Sequence, residues 1–233
     1  MSGKRSDRFM RLGEFSSGRL FFSRRIFTRE SNEYKVEGNF MDCKTYCEEI
    51  KRTWHDESVS VSEQIEHAEL GLLGEFGEFC ELIKRRTFLG REVSDKQLVL
   101  ELGDILYYLL TVARLREVGV NAFEDLWHLE AKPETMSWYS LAVGMARCIV
   151  CRTCLVLNTL SANVVVGFGG QELEENIRCS LKWITSMADR LGVSLSELAA
   201  ENIHKLRIRY PDGFQSGGGV RNKQDVNYNE ERS

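Results

Sequence analysis

Proline is nearly absent: the 233-residue chain carries two, Pro133 and Pro211, beside 19 glycines, which leaves little room for a Pro-rich linker. Long apolar runs are absent as well. The longest stretch without a charge, Thr153–Gly170, is broken by Asn158, Ser161 and Asn163 and closes in Gly-Phe-Gly-Gly, so no membrane span is expected. An excess of positive charge is also missing. With 31 Lys+Arg against 35 Asp+Glu the formal charge is −4, which argues against a partner that is a nucleic-acid polymer. A small polyanion carried by a divalent metal stays compatible, because the ion supplies the positive charge. What is present, 42% hydrophobic and 28% charged residues, is ordinary for a globular chain long enough for one or two cored domains.

Seven cysteines, an odd number, stand in a chain with no stretch of secretory type at its N-terminus, so reduced thiols and a cytoplasmic location are expected. Cys148, Cys151 and Cys154 form a C-x-x-C-x-x-C run. No fourth ligand stands at zinc-finger spacing, and on a helix these positions drift around one face as small core residues would. Residues 1–40 hold nine Lys/Arg and five acids, leaving about −8 on the remainder. Their Arg, Ser and Phe content superficially matches an organellar transit peptide, but the expectation is a poorly ordered basic extension. A glycine-rich polar tail is expected over 215–233.

Between these ends the apolar spacing is helical. Stripes at three- and four-residue steps predict helices over about 40–54, 62–88 (Ile65, Ala68, Leu72, Phe76, Phe79, Leu82, Ile83) and 95–118 (Leu98, Leu102, Ile105, Leu106, Leu109, Val112, Ala113). Further helices are expected over 136–160, 171–191 and 194–209, the last opened by Ser194 as N-cap with Glu197 in a capping box. Val164–Val166 is the one short extended candidate. The expected fold is an all-α bundle over 41–214.

Two carboxylate pairs stand out. Glu75-Phe-Gly-Glu78 and Glu101-Leu-Gly-Asp104 each place two acids at i, i+3 on one helix face, beside apolar stripes. Gly74, Gly77 and Gly103 lower helix propensity there by about 1 kcal/mol each, which suggests close helix approach. If the two faces meet, four carboxylates converge, and their repulsion calls for a cation. Hard oxygen donors select Mg²⁺ or Mn²⁺. Solvated surface charge is the alternative for any single such pair.

The order Gly71-Leu-Leu-Gly-Glu75-Phe-Gly-Glu78, then Glu101-Leu-Gly-Asp104-Ile-Leu-Tyr-Tyr108, then Asn202-Ile-His-Lys205 through Arg209 resembles the MazG-like all-α nucleoside triphosphate pyrophosphohydrolases, a superfamily that includes the dimeric dUTPases. The 22-residue spacer Phe79–Leu100 lies within the range of that family, and Cys43–Trp54 is similar to the first helix of its compact members. The resemblance implies Mg²⁺-dependent hydrolysis of (deoxy)nucleoside triphosphates to monophosphate and pyrophosphate. It implies Glu75, Glu78, Glu101 and Asp104 as metal ligands, with Mn²⁺ as a substitute ion. Glu75 is the preferred general base, although the sequence does not separate it from Glu78. Asn202, Lys205 and Arg209 would clamp the triphosphate. Trp54 is a candidate for stacking on the base and Tyr108 for facing the sugar, with core packing as the alternative for both. A catalytically inactive nucleotide-binding or scaffold bundle is the rival reading.

About seventy residues, roughly 119–188, separate the acidic helices from the basic one, more than in a compact family member. They read as a worn copy of the first half, dividing the domain into 41–130 and 131–214. Gly144 is laid on Gly74, Met145 and Cys148 on Glu75 and Glu78, and Asn176 and Cys179 on Glu101 and Asp104. A covalent pseudo-dimer with one metal site follows, as a monomer or a homodimer. Gly167-Phe-Gly-Gly170 lacks the flanks of a phosphate loop and reads as a connection. His55, His67, His128 and His204 show neither an HExxH pairing nor a triad signature.

Overall fold

The computed structural model describes residues 41–54, 59–129, 134–149 and 170–213. Residues 1–40, the stretch Cys151–Gly167 with Val164–Val166, His55 and the tail lie outside them. Among the described residues seven α-helices follow in order: α1 (Cys43–Thr53), α2 (Val61–Phe88), α3 (Asp95–Leu115), α4 (Glu124–Trp127), α5 (Trp138–Cys148), α6 (Gly170–Leu191) and α7 (Leu195–Arg209). There is no strand among the described residues, so the fold is all-α.

Polar residues that satisfy the first unpaired N–H groups set the helix starts. The Asp42 carboxylate accepts from Thr45 N at 2.7 Å, which holds its pKa below the ordinary range. Ser60 with Glu63, Ser94 with Gln97 and Ser194 with Glu197 each form a capping box, the last as predicted. The third helix ends at Leu115 rather than 118, because Glu117 turns to φ 60° and Val118 N closes onto Ala113 O at 2.9 Å. A 3₁₀ turn (Val120–Phe123) and α4 occupy a stretch where no helix is expected from the pattern.

Helix α3 is the hub. Leu98–Leu102, Ile105–Tyr107 and Leu109–Ala113 are buried around the whole circumference, because α1, α2, α6 and α7 all pack on it. The short link Leu89–Ser94 makes α2 and α3 a helical hairpin, reinforced by buried Glu69 accepting from Arg116 Nη2 at 3.0 Å. Arg207 to Glu49, 2.8 Å, ties α7 to α1, and Arg178 grips both oxygens of Asp125, 2.7 and 2.6 Å, to fix α4 against α6. No helix among the described residues is long and apolar enough to cross a membrane.

Two glycines are dictated by packing. A Cβ on Gly71 would overlap the Tyr108 ring, and one on Gly144 would overlap the Trp183 indole. Gly103 admits Asn202, whose Cβ would lie 3.1 Å from an added methyl. Gly74 and Gly77 border open space instead, so the expected close approach through them is not found. They lie on the outward side of α2, and nothing in the packing explains them. We expect Gly144→Ala to destabilise by about 1–3 kcal/mol, since a rigid indole must move, and Gly74→Ala to be neutral or stabilising. Urea unfolding of both variants checks the contrast.

The same kind of contact recurs in the two halves, with a register three residues from the one expected. Gly144 lies beneath Trp183 as Gly71 lies beneath Tyr108, and Leu141, Met145 and Ile149 are buried as Ala68, Leu72 and Phe76 are. Gly144 therefore takes the packing place of Gly71, not Gly74, and Met145 that of Leu72. Cys148 stands where Glu75 does in the first hairpin, while Cys179 keeps the place of Asp104 and Asn176 that of Glu101. Burial decides this, because a three-residue slip rotates a helix by only about 60° and keeps much of the same face.

Candidate active site

The α2–α3 hairpin brings the acids together. Glu75, Glu78 and Glu101 each offer a carboxylate oxygen, all within 4.8 Å of one another; Glu101 is buried, Glu75 half-buried and Glu78 exposed. Such proximity follows from i, i+3 spacing on both helices once the hairpin fixes which faces meet.

Asp104 belongs to the same patch but is differently engaged. Its Oδ1 accepts from Asn202 Nδ2 at 2.9 Å and its Oδ2 pairs with Lys205 Nζ. Asn202 is oriented in turn by the fully buried Tyr46, whose hydroxyl donates to Oδ1 at 2.9 Å. With its carbonyl oxygen held by Tyr46, the amide can only present Nδ2 to Asp104. Burial, then Asp104, pushes the Tyr46 phenol well up, so it remains a donor.

Lys205 is buried, and it neutralises Asp104. Arg209, two turns from Asn202, is exposed, with its guanidinium 5.6 Å from the Tyr210 ring. The Tyr108 hydroxyl is pushed up to about 12 by burial, then by Glu75 and Asp104, with Arg209 opposing; this puts its ring beside the acids. Trp54, half-buried, donates from Nε1 to Gln64 Oε1 at 3.1 Å and packs 5.1 Å from His67 and 6.2 Å from Tyr108. Tyr46 is the site residue the sequence reading missed. Its signal was weak, a lone aromatic on the core face of α1.

Electrostatically the patch asks for a cation. Burial, followed by the charges of Asp104, Glu101 and Glu78, raises Glu75 from 4.5 to about 8. The donor set is entirely carboxylate, which suits a hard dication such as Mg²⁺ or Mn²⁺ and not a thiophilic one.

The raised value has a definite sign in stability. Below pH 4.5 both folded and unfolded Glu75 are protonated and nothing is lost. Between 4.5 and about 8 the folded state keeps a proton that the unfolded chain releases, so stability falls as pH rises. The whole decline, discounted for partial exposure, is about 2–3 kcal/mol. Melting curves in a chelator should therefore lose stability from pH 5 to pH 8, and added Mg²⁺ should restore more at pH 8 than at pH 5. Equal Mg²⁺ effects at both pH values would count against a shared carboxylate site.

One comparison with known proteins falls on the same segment. Residues 63–128 match the MazG nucleotide pyrophosphohydrolase domain, a span that contains α2, α3 and all four acids but not Asn202, Lys205 or Arg209. No curated protein and no solved structure matches the chain. With an all-helical hairpin carrying the two acidic pairs, residues 63–128, under a third of the chain, are similar to the MazG nucleotide pyrophosphohydrolase domain.

Proposed function

We propose that this protein hydrolyses (deoxy)nucleoside triphosphates to the monophosphate and pyrophosphate, with Mg²⁺ as its ion and Mn²⁺ as a substitute. The observation that carries the reading is the convergence of Glu75, Glu78 and Glu101 within 4.8 Å inside the family segment. Glu75, Glu78 and Glu101 would hold the ion, with Asp104 at their edge. When bound, the ion would neutralise phosphate oxygens and make a water more acidic.

The chain's own residues supply the rest. Glu75, half-buried and with its proton affinity raised by burial and by the neighbouring carboxylates, is the proton acceptor for the attacking water. Asn202 and Lys205 hold Asp104 in a fixed orientation, so the carboxylate patch is set before substrate arrives. Arg209 is exposed at the end of the same helix and is the cation that can reach a phosphate oxygen. Tyr108, which feels the charges of Glu75 and Asp104, and Trp54, 6.2 Å from its ring, offer aromatic surface for the nucleoside.

Incubating the full chain with each (d)NTP and Mg²⁺, and measuring pyrophosphate, tests this directly. Nucleotide binding without product on any of them would favour an inactive nucleotide-binding bundle. Cys148, Asn176 and Cys179 cannot replace hard ligands, so one site per chain belongs to this reading, and α5 and α6 cover faces of α2 and α3 that a partner copy would otherwise bury. Titrating a non-hydrolysable nucleotide with Mn²⁺, with light scattering to fix the mass of the assembly, should find one equivalent per chain. Two equivalents would refute the worn-copy account.

A further inference from the structure

The worn half holds a chemistry of its own. Where the first hairpin sets Glu75 near Asp104, the second sets Cys148 near Cys179: the two Sγ atoms lie 2.9 Å apart, one on α5 and one on α6, 31 residues apart in sequence. Three features make this more than two core thiols. The helices are drawn together by Gly144, whose missing Cβ lets Trp183 of α6 lie directly on the α5 backbone. Cys148 is buried, whereas Cys179 is half-buried, so one sulfur is open to a small reagent and the other waits behind it. Neighbouring helices already fix both, since α5 packs on α2, where Trp138 meets Phe79 edge-on at 6.2 Å, and α6 packs on α3.

We propose that Cys148 and Cys179 form a reversible dithiol–disulfide couple that fastens α5 to α6. The chemistry is thiol–disulfide exchange with a low-molecular-weight disulfide as oxidant. The Cys179 thiolate attacks one sulfur of that disulfide, forming a mixed disulfide and expelling one small thiolate. The Cys148 thiolate then attacks Cys179 Sγ, forms the Cys148–Cys179 bond and expels the second small thiolate. Each cysteine gives its proton to solvent or to a departing thiolate. The protein loses an electron pair, and the small disulfide is reduced to two thiols. The bond closes a loop in the unfolded chain and joins the helices that back the carboxylate hairpin, so the oxidised protein should resist thermal unfolding more than the reduced one. This inference does not depend on the proposed hydrolysis.

The test uses the full chain with oxidised glutathione as probe, followed by digestion without reductant and mass spectrometry. The expected result is a peptide pair joined through Cys148 and Cys179, a higher Tm, and reversal of both by dithiothreitol. In Cys148→Ser the resolving thiol is gone, so a glutathione adduct should persist on Cys179. In Cys179→Ser neither the adduct at that position nor the Tm rise should appear. Circular dichroism of both variants verifies that the helices remain. Separate glutathione adducts on Cys148 and Cys179 with no link between them, a link from Cys179 to Cys151 or Cys154 instead, or resistance of both thiols under conditions that modify Cys47 or Cys80 would each overturn the proposal.

Discussion

Replacing Glu78 by Ala should lower pyrophosphate release by about 10²–10³-fold or more while leaving the helical spectrum and the unfolding midpoint close to those of the parent protein. The two halves of this expectation have separate causes. Glu78 is exposed and none of the described core rests on it, so its removal costs little stability, within about 0.5 kcal/mol. Removing one of four crowded negative charges even relieves Glu75, whose proton affinity Glu78 helps to raise. The functional half follows from the ligand set: with Glu78 gone, only Glu75 and Glu101 remain of the three oxygens within 4.8 Å, and affinity for a hard dication falls with each carboxylate lost. A variant that keeps full turnover at low Mg²⁺ would remove Glu78 from the site. One that regains turnover only at high Mg²⁺ would identify it as a ligand rather than as a base.

Asp104→Ala is expected to do the opposite in stability. It strips the carboxylate from buried Lys205 and leaves the Asn202 amide, still held by Tyr46, without the acceptor of its Nδ2 hydrogen bond. Breaking a buried ion pair from one side typically costs about 3–5 kcal/mol. Relief of repulsion on Glu75 offsets only part of this, because burial rather than Asp104 is the largest cause of its raised value. A net loss of about 2–4 kcal/mol should appear as a lower urea midpoint at unchanged m. Adding Lys205→Met to the same chain should recover part of it, because the buried ammonium then no longer has to be held without the Asp104 carboxylate. A loss below about 1 kcal/mol would mean that the Asp104–Lys205 pair is open to water in solution.

The helices themselves were legible. The stripe Ala68, Leu72, Phe76, Phe79 and Ile83 on α2 is buried as its three- and four-residue spacing requires, and the Ser194–Glu197 capping box is where the pattern places it. Local chemistry governs those features, so a local reading finds them. The short helix Glu124–Trp127 escaped, because it is held by distant partners: Trp127 Nε1 donates to Met41 O at 2.5 Å, and Asp125 receives Arg178 from α6. The buried Glu69–Arg116 pair escaped for the same reason, since an acid one residue from a core position reads as solvent-facing until α3 is laid against it.

Sequence by itself determined the all-α class, the Ser194–Glu197 cap that starts the last helix, and the two acid pairs at i, i+3, because these depend on spacing along one helix. Tertiary structure alone decided which faces meet. Contact between helices set Glu75, Glu78 and Glu101 within one ion's reach, made Lys205 the buried partner of Asp104, and made Tyr46 the residue that orients Asn202. It also set Trp183 on Gly144 as it set Tyr108 on Gly71, since close packing against an aromatic ring is not readable from spacing along one helix.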